Sequence, residues 1–363
     1  MKIIQLIYSL SSGGAERFVV NLSNELSRQG HDVTICMLLN TENPAWCFNK
    51  KFIHPSVKFH SLGFSQGFSL KKVKTVHKYI LKEQPDVVHC HLNVIPYIYL
   101  TACRNHNIKF FHTIHNIAQK ASGLKIQYLL NRFFYKRNIT PIAISKICLE
   151  SFEKYYHLKN ITRIDNGCPT VMPSQEFGKT KTEVDNYKTS INTPVFIHVA
   201  RCHPSKNQDL LIDSFNKLND NSIDYTLLIL GSGFDSPEGI RLKQKACSKI
   251  HFLGEKSNVG DYLLCSDAFC LTSLYEGLPI SLIEALSCGI TPICTPVGGI
   301  PDVIANGKTG YLSSSIEINS YYDAILRFIK NKISVNSLKK LYNDQFSIEH
   351  CANLYISTFK HIA

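Results

Sequence analysis

The sequence predicts an α/β protein made of two doubly wound, Rossmann-like domains that face each other across a cleft. The first observation is its length, since 363 residues correspond to about two domains of ordinary size. The second is that short apolar runs, typical of buried strands, alternate with longer amphipathic runs, typical of helices. The third is that a polar stretch interrupts this alternation, which then starts again.

The first domain is predicted over residues 1–170. Its strand-like and helix-like runs follow one another as Ile3–Tyr8, Glu16–Gln29, Asp32–Leu39, Leu70–Glu83, Val87–Cys90 and Pro141–Ser145. Strands that alternate with helices favour a parallel sheet with helices on both faces. The polar stretch Phe177–Thr193 is interpreted as the linker to the second domain.

The second domain is predicted over residues 190–344. Its runs are Val195–Ala200, Asp209–Leu218, Tyr225–Leu230, Ala268–Leu271 and Ile280–Ser287. A last helix, at about residues 345–363, is expected to pack back onto the first domain. In facing domains of this class, phosphorylated ligands are held by the carboxyl ends of strands and the N-termini of helices.

Composition excludes several classes of protein. No apolar run approaches the ~20 residues of a membrane-spanning helix. The 13 cysteines form no Cys-x-x-Cys pair, which favours small buried residues over disulfides or a zinc site. Because the first apolar run leads into an amphipathic segment, we interpret it as a strand and not as a signal peptide, and we expect a cytoplasmic protein.

The net charge of +12 is concentrated in the first half, where residues 1–180 carry 23 Lys and Arg against 10 Asp and Glu. Such a half predicts an anionic partner, either nucleic acid or a membrane surface. Two segments, Lys71–Lys82 and Lys125–Arg137, are predicted as basic amphipathic helices. A well-placed Lys or Arg attracts anionic lipid by about 1 kcal/mol. We therefore expect peripheral attachment to the inner face of the membrane; a solvated basic face is the alternative.

The stretch Tyr275–Leu286 is the most informative part of the sequence. Pro279 suits the first turn of a helix, and Gly289 can end that helix in a left-handed conformation. Gly277 and Leu278 lie in the loop before it. Free amides at such a helix start attract anions, so the loop predicts a diphosphate site.

Two carboxylates and two cations are predicted to belong to the same diphosphate site. Glu276 and Glu284 are candidate acceptors for the hydroxyls of a sugar and a ribose. The neighbours of Glu284 are apolar, which predicts a buried and partnered carboxylate. Arg201 and Lys206 follow the strand Val195–Ala200 and can bind phosphate oxygens. Alone, two cations are usually solvated; together with the glutamates they favour a phosphate site.

The first domain offers a glycine pair and a group of histidines. Gly13–Gly14, at the start of a helix, allow close approach of a phosphate or sugar, although a plain turn would look the same. His115 follows a predicted strand and is placed in the cleft. His89 and His91 share one face of a strand, and His89 and His112 are interpreted as core residues. No ligand spacing supports a metal.

Taken in order, these motifs resemble those of a known family. They are Gly-Gly-Ala-Glu-Arg at 13–17, Asp-Val-Val-His-Cys-His at 86–91, His115-Asn116, Ala143-Ile144-Ser145, Asn166-Gly167, Arg201 with Lys206, Gly231-Ser232-Gly233, Glu276 with Glu284, and Gly298-Gly299. This order is similar to that of the retaining glycosyltransferases of family four, which have the GT-B fold. The resemblance spans nearly the whole chain.

The resemblance implies transfer of a sugar from a nucleotide sugar, a UDP sugar by preference, with retention of anomeric configuration and without a metal or cofactor. The acceptor it implies is a glycan or a lipid-linked glycan of cell-surface polysaccharide synthesis. Arg201 and Lys206 would neutralise the donor diphosphate. Glu284 would bind the ribose, Glu276 the donor sugar, and His115 would lie near the sugar ring. Gly13 and Gly14 would approach the phosphates, and Gly277, Leu278 and Pro279 would also contact the donor.

Two alternatives stay open. A GT-B enzyme of another reaction type, such as a nucleotide-sugar epimerase, would carry the same motifs. A nucleic-acid-binding protein is suggested by the basic half, but aromatic and cationic residues do not alternate as a stacking platform would require.

Overall fold

The computed structural model describes residues 1–120 and 125–361, and the chain divides into two compact units. The first unit contains residues 1–169 and the stretch that begins at Ile348, and the second contains Thr170–Ser347. Each unit has a parallel β-sheet of its own, with seven strands in the first and six in the second.

The sheet of the first unit has the strand order β3-β2-β1-β4-β5-β6-β7. The strands are β1 (Lys2–Ile7), β2 (Asp32–Leu39), β3 (Lys58–Phe64), β4 (Val87–His91), β5 (Lys109–Ile114), β6 (Ile139–Ala143) and β7 (Thr162–Arg163). The helices between them are α1 (Gly14–Arg28), α2 (Leu70–Glu83), α3 (Ile95–Arg104), α4 (Lys125–Tyr135) and α5 (Lys146–Tyr156). All five residues of β4 are buried, as expected for a strand covered on both faces.

Helix α2 shows how the sequence pattern sets the packing. The Ser69 hydroxyl accepts a hydrogen bond from the Lys72 amide at 3.3 Å and caps the helix start. Val73, Val76 and Ile80 recur at helical spacing and are buried. The apolar side of α2 is therefore used in the core of the first unit, and its lysines reach solvent.

The sheet of the second unit has the order β10-β9-β8-β11-β12-β13. The strands are β8 (Val195–Val199), β9 (Thr226–Leu230), β10 (Ile250–Gly254), β11 (Ala268–Leu271), β12 (Thr291–Cys294) and β13 (Tyr311–Leu312). The helices are α6 (Phe177–Asn186), α7 (Gln208–Asp220), α8 (Pro237–Lys245), α9 (Val259–Leu264), α10 (Ile280–Cys288), α11 (Ile300–Val303), α12 (Ile318–Lys330) and α13 (Val335–Leu341).

The linker predicted at Phe177–Thr193 is wrong, because most of that stretch is helix α6 of the second unit. Thr180 and Val184, four residues apart, are buried, and the Tyr262 hydroxyl donates a hydrogen bond to Glu183 at 2.7 Å. The helix buries only two small side chains, so its sequence looked like a polar connection.

The last described helix, α14 (Ile348–His361), belongs to the first unit. Its Tyr355 hydroxyl lies 2.9 Å from the Thr113 hydroxyl of β5, and Phe359 packs against Phe111 with ring centroids 4.6 Å apart. The helix begins three residues later than the predicted position 345, and positions 362–363 of that prediction lie outside the described residues. Among the described helices, none is long and apolar enough to cross a membrane.

In both sheets the strand order reverses at one point, between β1 and β4 in the first unit and between β8 and β11 in the second. At such a switch point the chain leaves two neighbouring strands in opposite directions, and a crevice opens at their carboxyl ends. The loops that follow β1, β4, β8 and β11 are therefore the positions where a ligand site is expected.

Candidate functional site

In the second unit, the predicted cations and the carboxylate Glu276 follow the two switch-point strands. Arg201 and Lys206 come after β8, and Glu276 comes after β11. The Lys206 Nζ lies 2.5 Å from Glu276 Oε1, and the two side chains are only 20% and 11% exposed. The structure thus brings Lys206 and Glu276 together as a largely buried ion pair, while the Arg201 side chain is exposed beside the same strand end.

Three further contacts hold this pair in place. The Ser273 hydroxyl donates to Glu276 Oε1 at 2.6 Å. The Thr272 hydroxyl donates to the Lys206 carbonyl at 3.0 Å, and the Leu274 amide donates to the Ser205 carbonyl at 2.8 Å. Because the Thr272 and Leu274 bonds join the loop after β11 to the loop after β8, neither charged group is positioned by its own loop alone.

Asn207 ends the cation loop in a left-handed conformation, with φ of 49°. Glycine adopts this conformation most readily, because it has no Cβ. Asparagine is among the few other residues that adopt this conformation readily. Asn207 therefore allows the left-handed turn at the end of the loop without a glycine.

The glycine pair Gly298–Gly299 packs against the Glu276 loop. Gly298 has φ of +60°, and a Cβ added there would lie 1.9 Å from the Glu276 carbonyl oxygen. The Gly299 amide donates to the Gly277 carbonyl at 2.7 Å. In the sequence this pair was only part of the family resemblance; its role in supporting the Glu276 loop depends on a contact between distant segments.

Glu284 lies inside α10, which begins at Ile280 with Pro279 as its N-cap and ends at Gly289 in the predicted left-handed conformation, with φ of 77°. Glu284 is half-buried, less than predicted, and it has an interaction partner within the protein, as predicted. Its apolar neighbours Leu282 and Ile283 face the core. They leave Glu284 on the border of the core, where the residue is partly exposed.

A cavity of about 180 Å³ lies at the carboxyl ends of β9 and β10. Its lining includes Gly231–Gly233, Phe234, Gly254 and Glu255. A Cβ on Gly231 would lie 2.1 Å from the Ala200 carbonyl oxygen, so only glycine allows the ends of β8 and β9 to approach this closely. The sequence had indicated Gly231–Gly233, but not Gly254 or Glu255.

In the first unit, Gly13 and Gly14 lie where β1 passes into α1. Gly13 is the N-cap of α1 in extended conformation, and a Cβ there would lie 2.3 Å from a carboxylate oxygen of Glu16. The Asn49 side-chain amide donates to the Ser11 carbonyl at 2.5 Å and fixes the loop before the glycines. A larger residue at position 13 would displace Glu16 and change this loop.

The histidines lie beside that loop, on β4 and β5. His115 follows β5 and is half-buried; its Nε2 lies 3.1 Å from His91 Nδ1. Burial lowers the pKa of His115 to about 3, so the imidazole is neutral at pH 7. His112 lies between the Tyr135 hydroxyl at 2.7 Å and the Leu92 carbonyl at 2.9 Å. His89 and His112 are buried core residues, as predicted.

Two family models match most of the chain. The model described as Glycosyltransferase Family 4 matches residues 12–171, and the model described as Glycosyl transferases group 1 matches residues 181–344. This chain belongs to glycosyltransferase family four. The two matched segments include the switch-point loop of β1 at Gly13 and those of β8 and β11, so the candidate residues fall within the family's own domains.

Relatives of this glycosyltransferase act on different molecules. The N-acetyl-alpha-D-glucosaminyl L-malate synthase of Bacillus anthracis is 25% identical over 341 residues, which are 89% of this chain and 86% of that protein. The UDP-Gal:alpha-D-GlcNAc-diphosphoundecaprenol alpha-1,3-galactosyltransferase of Escherichia coli is 26% identical over 76% of this chain and 75% of its own.

The solved structure of HepE (Alr3699) from Anabaena, in complex with UDP, superposes with a TM-score of 0.81 at 17% identity and covers 100% of both chains. This likeness concerns the fold, and it confirms the predicted GT-B architecture.

Proposed function

We propose that this glycosyltransferase takes a sugar from a nucleoside diphosphate sugar, a UDP sugar, and transfers it with retention to a glycan or lipid-linked acceptor of a cell-surface polysaccharide. The observation that carries the proposal is the Lys206–Glu276 pair beside Arg201 at the switch point of the second unit. This site supplies cations that can bind a diphosphate. At the same edge of the sheet, it supplies a carboxylate that can accept hydrogen bonds from hydroxyl groups. The Escherichia coli relative is named for UDP-Gal, and the HepE structure is a complex with UDP. Both support the choice of nucleotide.

The chemistry follows from where charge develops. As the bond between the anomeric carbon and the diphosphate oxygen breaks, negative charge grows on the leaving diphosphate, and Arg201 and Lys206 stabilise it. The acceptor hydroxyl attacks the anomeric carbon on the face that the diphosphate leaves, and a phosphate oxygen of the donor takes its proton. No metal or cofactor enters this scheme.

The Glu276 carboxylate accepts two hydrogen bonds from the protein through one of its oxygens. The Lys206 and Ser273 bonds both fall on Oε1, which leaves Oε2 to accept a hydrogen bond from a hydroxyl of the donor sugar. Hydrogen bonds to a charged acceptor are stronger than those between neutral groups. Glu284 at the border of the core would accept from the ribose, and Gly277, Leu278 and Pro279 would contact the donor through the loop before α10.

The first test is a thermal-shift screen of UDP, UDP-glucose, UDP-galactose and UDP-N-acetylglucosamine. A donor at a hundred times its Kd stabilises the folded protein by about 2.7 kcal/mol, so the cognate UDP sugar should raise the midpoint clearly. Glycosylated acceptor and free UDP should then form in equal amounts, and NMR should show the donor's anomeric configuration in the product. A rearranged UDP sugar without free UDP would identify an epimerase and contradict the proposal.

We also infer that the first unit binds anionic membranes through α4 and not through α2. The apolar side of α2 is buried, whereas α4 exposes Ile126, Leu129, Leu130 and Phe133. The cations Lys136 and Arg137 follow this apolar face, and the Arg137 guanidinium lies 4.3 Å from the centre of the Phe133 ring. Exposed apolar residues next to cations are typical of helices that lie in the headgroup region.

The membrane test uses vesicles of phosphatidylglycerol and phosphatidylcholine. The double variant Leu129→Ser/Phe133→Ser should lower the fraction bound to phosphatidylglycerol vesicles at least fivefold, because each apolar side chain loses about 1.5–3 kcal/mol of burial. The control is Ile191→Ser/Ile240→Ser, which changes two exposed residues of the second unit and should bind like the wild type. Equal binding of wild type to neutral and anionic vesicles at all salt concentrations would contradict the inference.

A further inference from the structure

An exposed phenylalanine lies on the loop that joins β3 to α2 in the first unit. The loop consists of residues 65–69 and starts at the carboxyl end of β3. Phe68 is 58% exposed, and Leu70, at the start of α2, is 72% exposed. Single exposed apolar residues are common on protein surfaces, so exposure alone does not indicate a function. What distinguishes Phe68 is the way in which its loop is held.

One lysine fixes the backbone of this loop. The Lys72 ammonium group donates to the carbonyl of Ser65 at 2.6 Å and to that of Gly67 at 2.7 Å. Its Nζ also lies 3.2 Å from the Gln66 carbonyl oxygen. An ammonium group has three protons to donate, so each carbonyl can receive one. Gly67 has φ of 89°, a conformation that glycine adopts without strain. The loop therefore has a defined shape.

Two tyrosines attach the loop to the switch point of the first sheet. Tyr8 directly follows β1, and Tyr97 lies in the first turn of α3, the helix after β4. The Tyr8 hydroxyl accepts a hydrogen bond from the Gly67 amide at 3.2 Å, and the Tyr97 hydroxyl donates to the Gly67 carbonyl at 3.3 Å. In the sheet, β2 separates β3 from β1. The loop after β3 is nevertheless held at the ends of β1 and β4, where a ligand is expected.

The Phe68 ring is held as well. Its centroid lies 5.4 Å from that of the Tyr97 ring, with 55° between the ring planes, a favourable arrangement for two aromatic rings. Tyr97 is only 4% exposed, so Phe68 leans on a buried ring while much of its own surface stays in solvent. A preorganised aromatic side chain loses little conformational entropy when a ligand covers it.

We propose that Phe68 is a platform on which a pyranose ring of the acceptor stacks. Lys72, Tyr8 and Tyr97 are the residues that position this platform. The inference rests on the proposed function, since it takes the acceptor to be a glycan, and it adds the part of the acceptor that is recognised.

The chemistry of a pyranose fits such a platform. Its ring C–H groups form apolar faces, and its hydroxyls point mostly outwards from the rim. One face can therefore cover an aromatic ring and leave water, while the hydroxyls stay hydrated. An axial hydroxyl on the stacking face would prevent this contact, so the platform would also select between epimers.

The surroundings of Phe68 favour a single sugar ring over a membrane. The exposed residues before it, Ser65, Gln66 and Gly67, have no apolar side chain. A helix that lies in the headgroup region presents a row of apolar side chains, as α4 does. With Leu70 as its exposed apolar neighbour, Phe68 offers an area suited to one ring.

The first experiment measures sugar binding without catalysis, in the full-length protein. The probes are the methyl α-pyranosides of glucose, galactose and N-acetylglucosamine, observed by saturation-transfer NMR. At least one should bind to the wild type, with more saturation on the ring protons of one face than on those of the other. Phe68→Ser and Phe68→Leu should each weaken this binding about tenfold, because neither residue has a flat ring. Phe68→Trp should retain it.

The matched control is Leu81→Ser, which removes an exposed apolar side chain near the other end of α2. It should bind the pyranosides like the wild type. In Phe68→Ser, the Kd for UDP and the binding to phosphatidylglycerol vesicles should both be unchanged, because the variant affects neither the nucleotide nor the membrane surface.

The second experiment tests the positioning role of Lys72. Lys72→Met should weaken pyranoside binding about fivefold, the effect of about one net hydrogen bond, because the loop carbonyls lose their donor. Lys72→Arg, which keeps donors, should recover most of the loss. With the acceptor in hand, Lys72→Met should raise the KM for the acceptor and leave kcat and the KM for the UDP sugar unchanged. A fall in kcat together with the unfolding midpoint would show a merely structural role.

The outcomes separate this inference from the proposed function. A wild type that binds none of the three pyranosides, or a Phe68→Ser protein that binds them as tightly, overturns the platform even if the enzyme uses a UDP sugar. Loss of vesicle binding with unchanged pyranoside binding in Phe68→Ser also overturns it and assigns Phe68 to the membrane surface. A protein that binds pyranosides through Phe68 but neither binds UDP nor uses any UDP sugar supports the stacking contact and overturns the proposed function.

Discussion

The two switch-point edges of this glycosyltransferase are built from different kinds of polar group. The edge of the second unit carries formal charges, with Arg201 near the largely buried pair of Lys206 and Glu276. The edge of the first unit carries glycine backbone and neutral imidazoles, with His115 held by His91. Charge suits a leaving diphosphate, whereas neutral hydrogen-bonding groups suit an uncharged sugar, so the two edges differ in the kind of ligand group that each can bind.

The largest effects should come from removing charge in the second unit. Arg201→Ala, Lys206→Ala and Glu284→Ala should each lower turnover a hundredfold or more, about 3 kcal/mol of transition-state stabilisation. His115→Ala, which removes a neutral partner, should cost about tenfold, as expected for a single uncharged hydrogen bond. Steady-state kinetics with the cognate UDP sugar checks both values.

The control for these variants is Lys245→Ala. Lys245 lies on α8 of the same unit and forms an ion pair with Asp213 of α7 at 2.7 Å. Its loss should leave turnover unchanged. If His115→Ala were more damaging than Lys206→Ala in proteins that remain folded, the division between a charged and a neutral edge would be wrong.

A smaller effect is expected at Gly298, which supports the charged edge. In Gly298→Ala, the new Cβ would meet the Glu276 carbonyl, and a left-handed backbone would carry a side chain. We expect a loss of about 1–3 kcal/mol in the free energy of unfolding and a drop in kcat of at least tenfold. Gly307→Ala is the matched control, because Gly307 has φ of +77° but nothing within 4 Å of the added Cβ. Equal loss of activity in both variants would show that backbone strain alone, and not the contact with Glu276, accounts for the effect.

The smallest effect per residue is expected from mild acid, which should lower the stability of the first unit more than that of the second. Burial lowers the pKa of His112 to about 4 and that of His115 to about 3, and it lowers the pKa of His89 and His91 as well. Unfolding restores an ordinary pKa near 6.5, so the unfolded chain binds more protons and stability is lost as pH falls from about 7 towards 4. Each such histidine costs about 0.7 kcal/mol between pH 7 and pH 6.

The second unit has one fully buried histidine of this kind, His198, whose pKa is lowered to about 4 by burial. Urea unfolding can compare the units, because the single tryptophan of the sequence, Trp46, lies in the first one. The midpoint followed by Trp46 fluorescence should fall more between pH 7 and pH 6 than the midpoint followed by circular dichroism, which reports both units. Parallel shifts would mean that the buried imidazoles do not set the acid response.

The pattern of apolar runs was sufficient to predict both parallel sheets, because strands such as β2 and β9 are buried on both faces and read as largely apolar segments. The prediction failed at α6, where the two buried positions, Thr180 and Val184, are small and the rest is polar. Helices that bury little surface leave little periodic signal, and local sequence cannot separate them from a linker.

The candidate site shows the same limit. Placing Arg201 and Glu276 on one edge needed only the rule that parallel strands end together. The bonds from Thr272 to the Lys206 carbonyl and between Gln5 and His91 needed the register between distant segments. A polar residue inside the apolar run Ile3–Tyr8 was nevertheless a usable signal, since a buried amide must find a partner.

The order of the segments has a consequence for biosynthesis. Helix α14 completes the first unit, but it is translated only after the whole second unit. While Tyr355 and Phe359 are still inside the ribosome, the side of β4 and β5 that they cover stays open to water. The second unit is encoded without interruption and can fold as soon as it emerges, whereas the first unit is completed only when α14 has emerged.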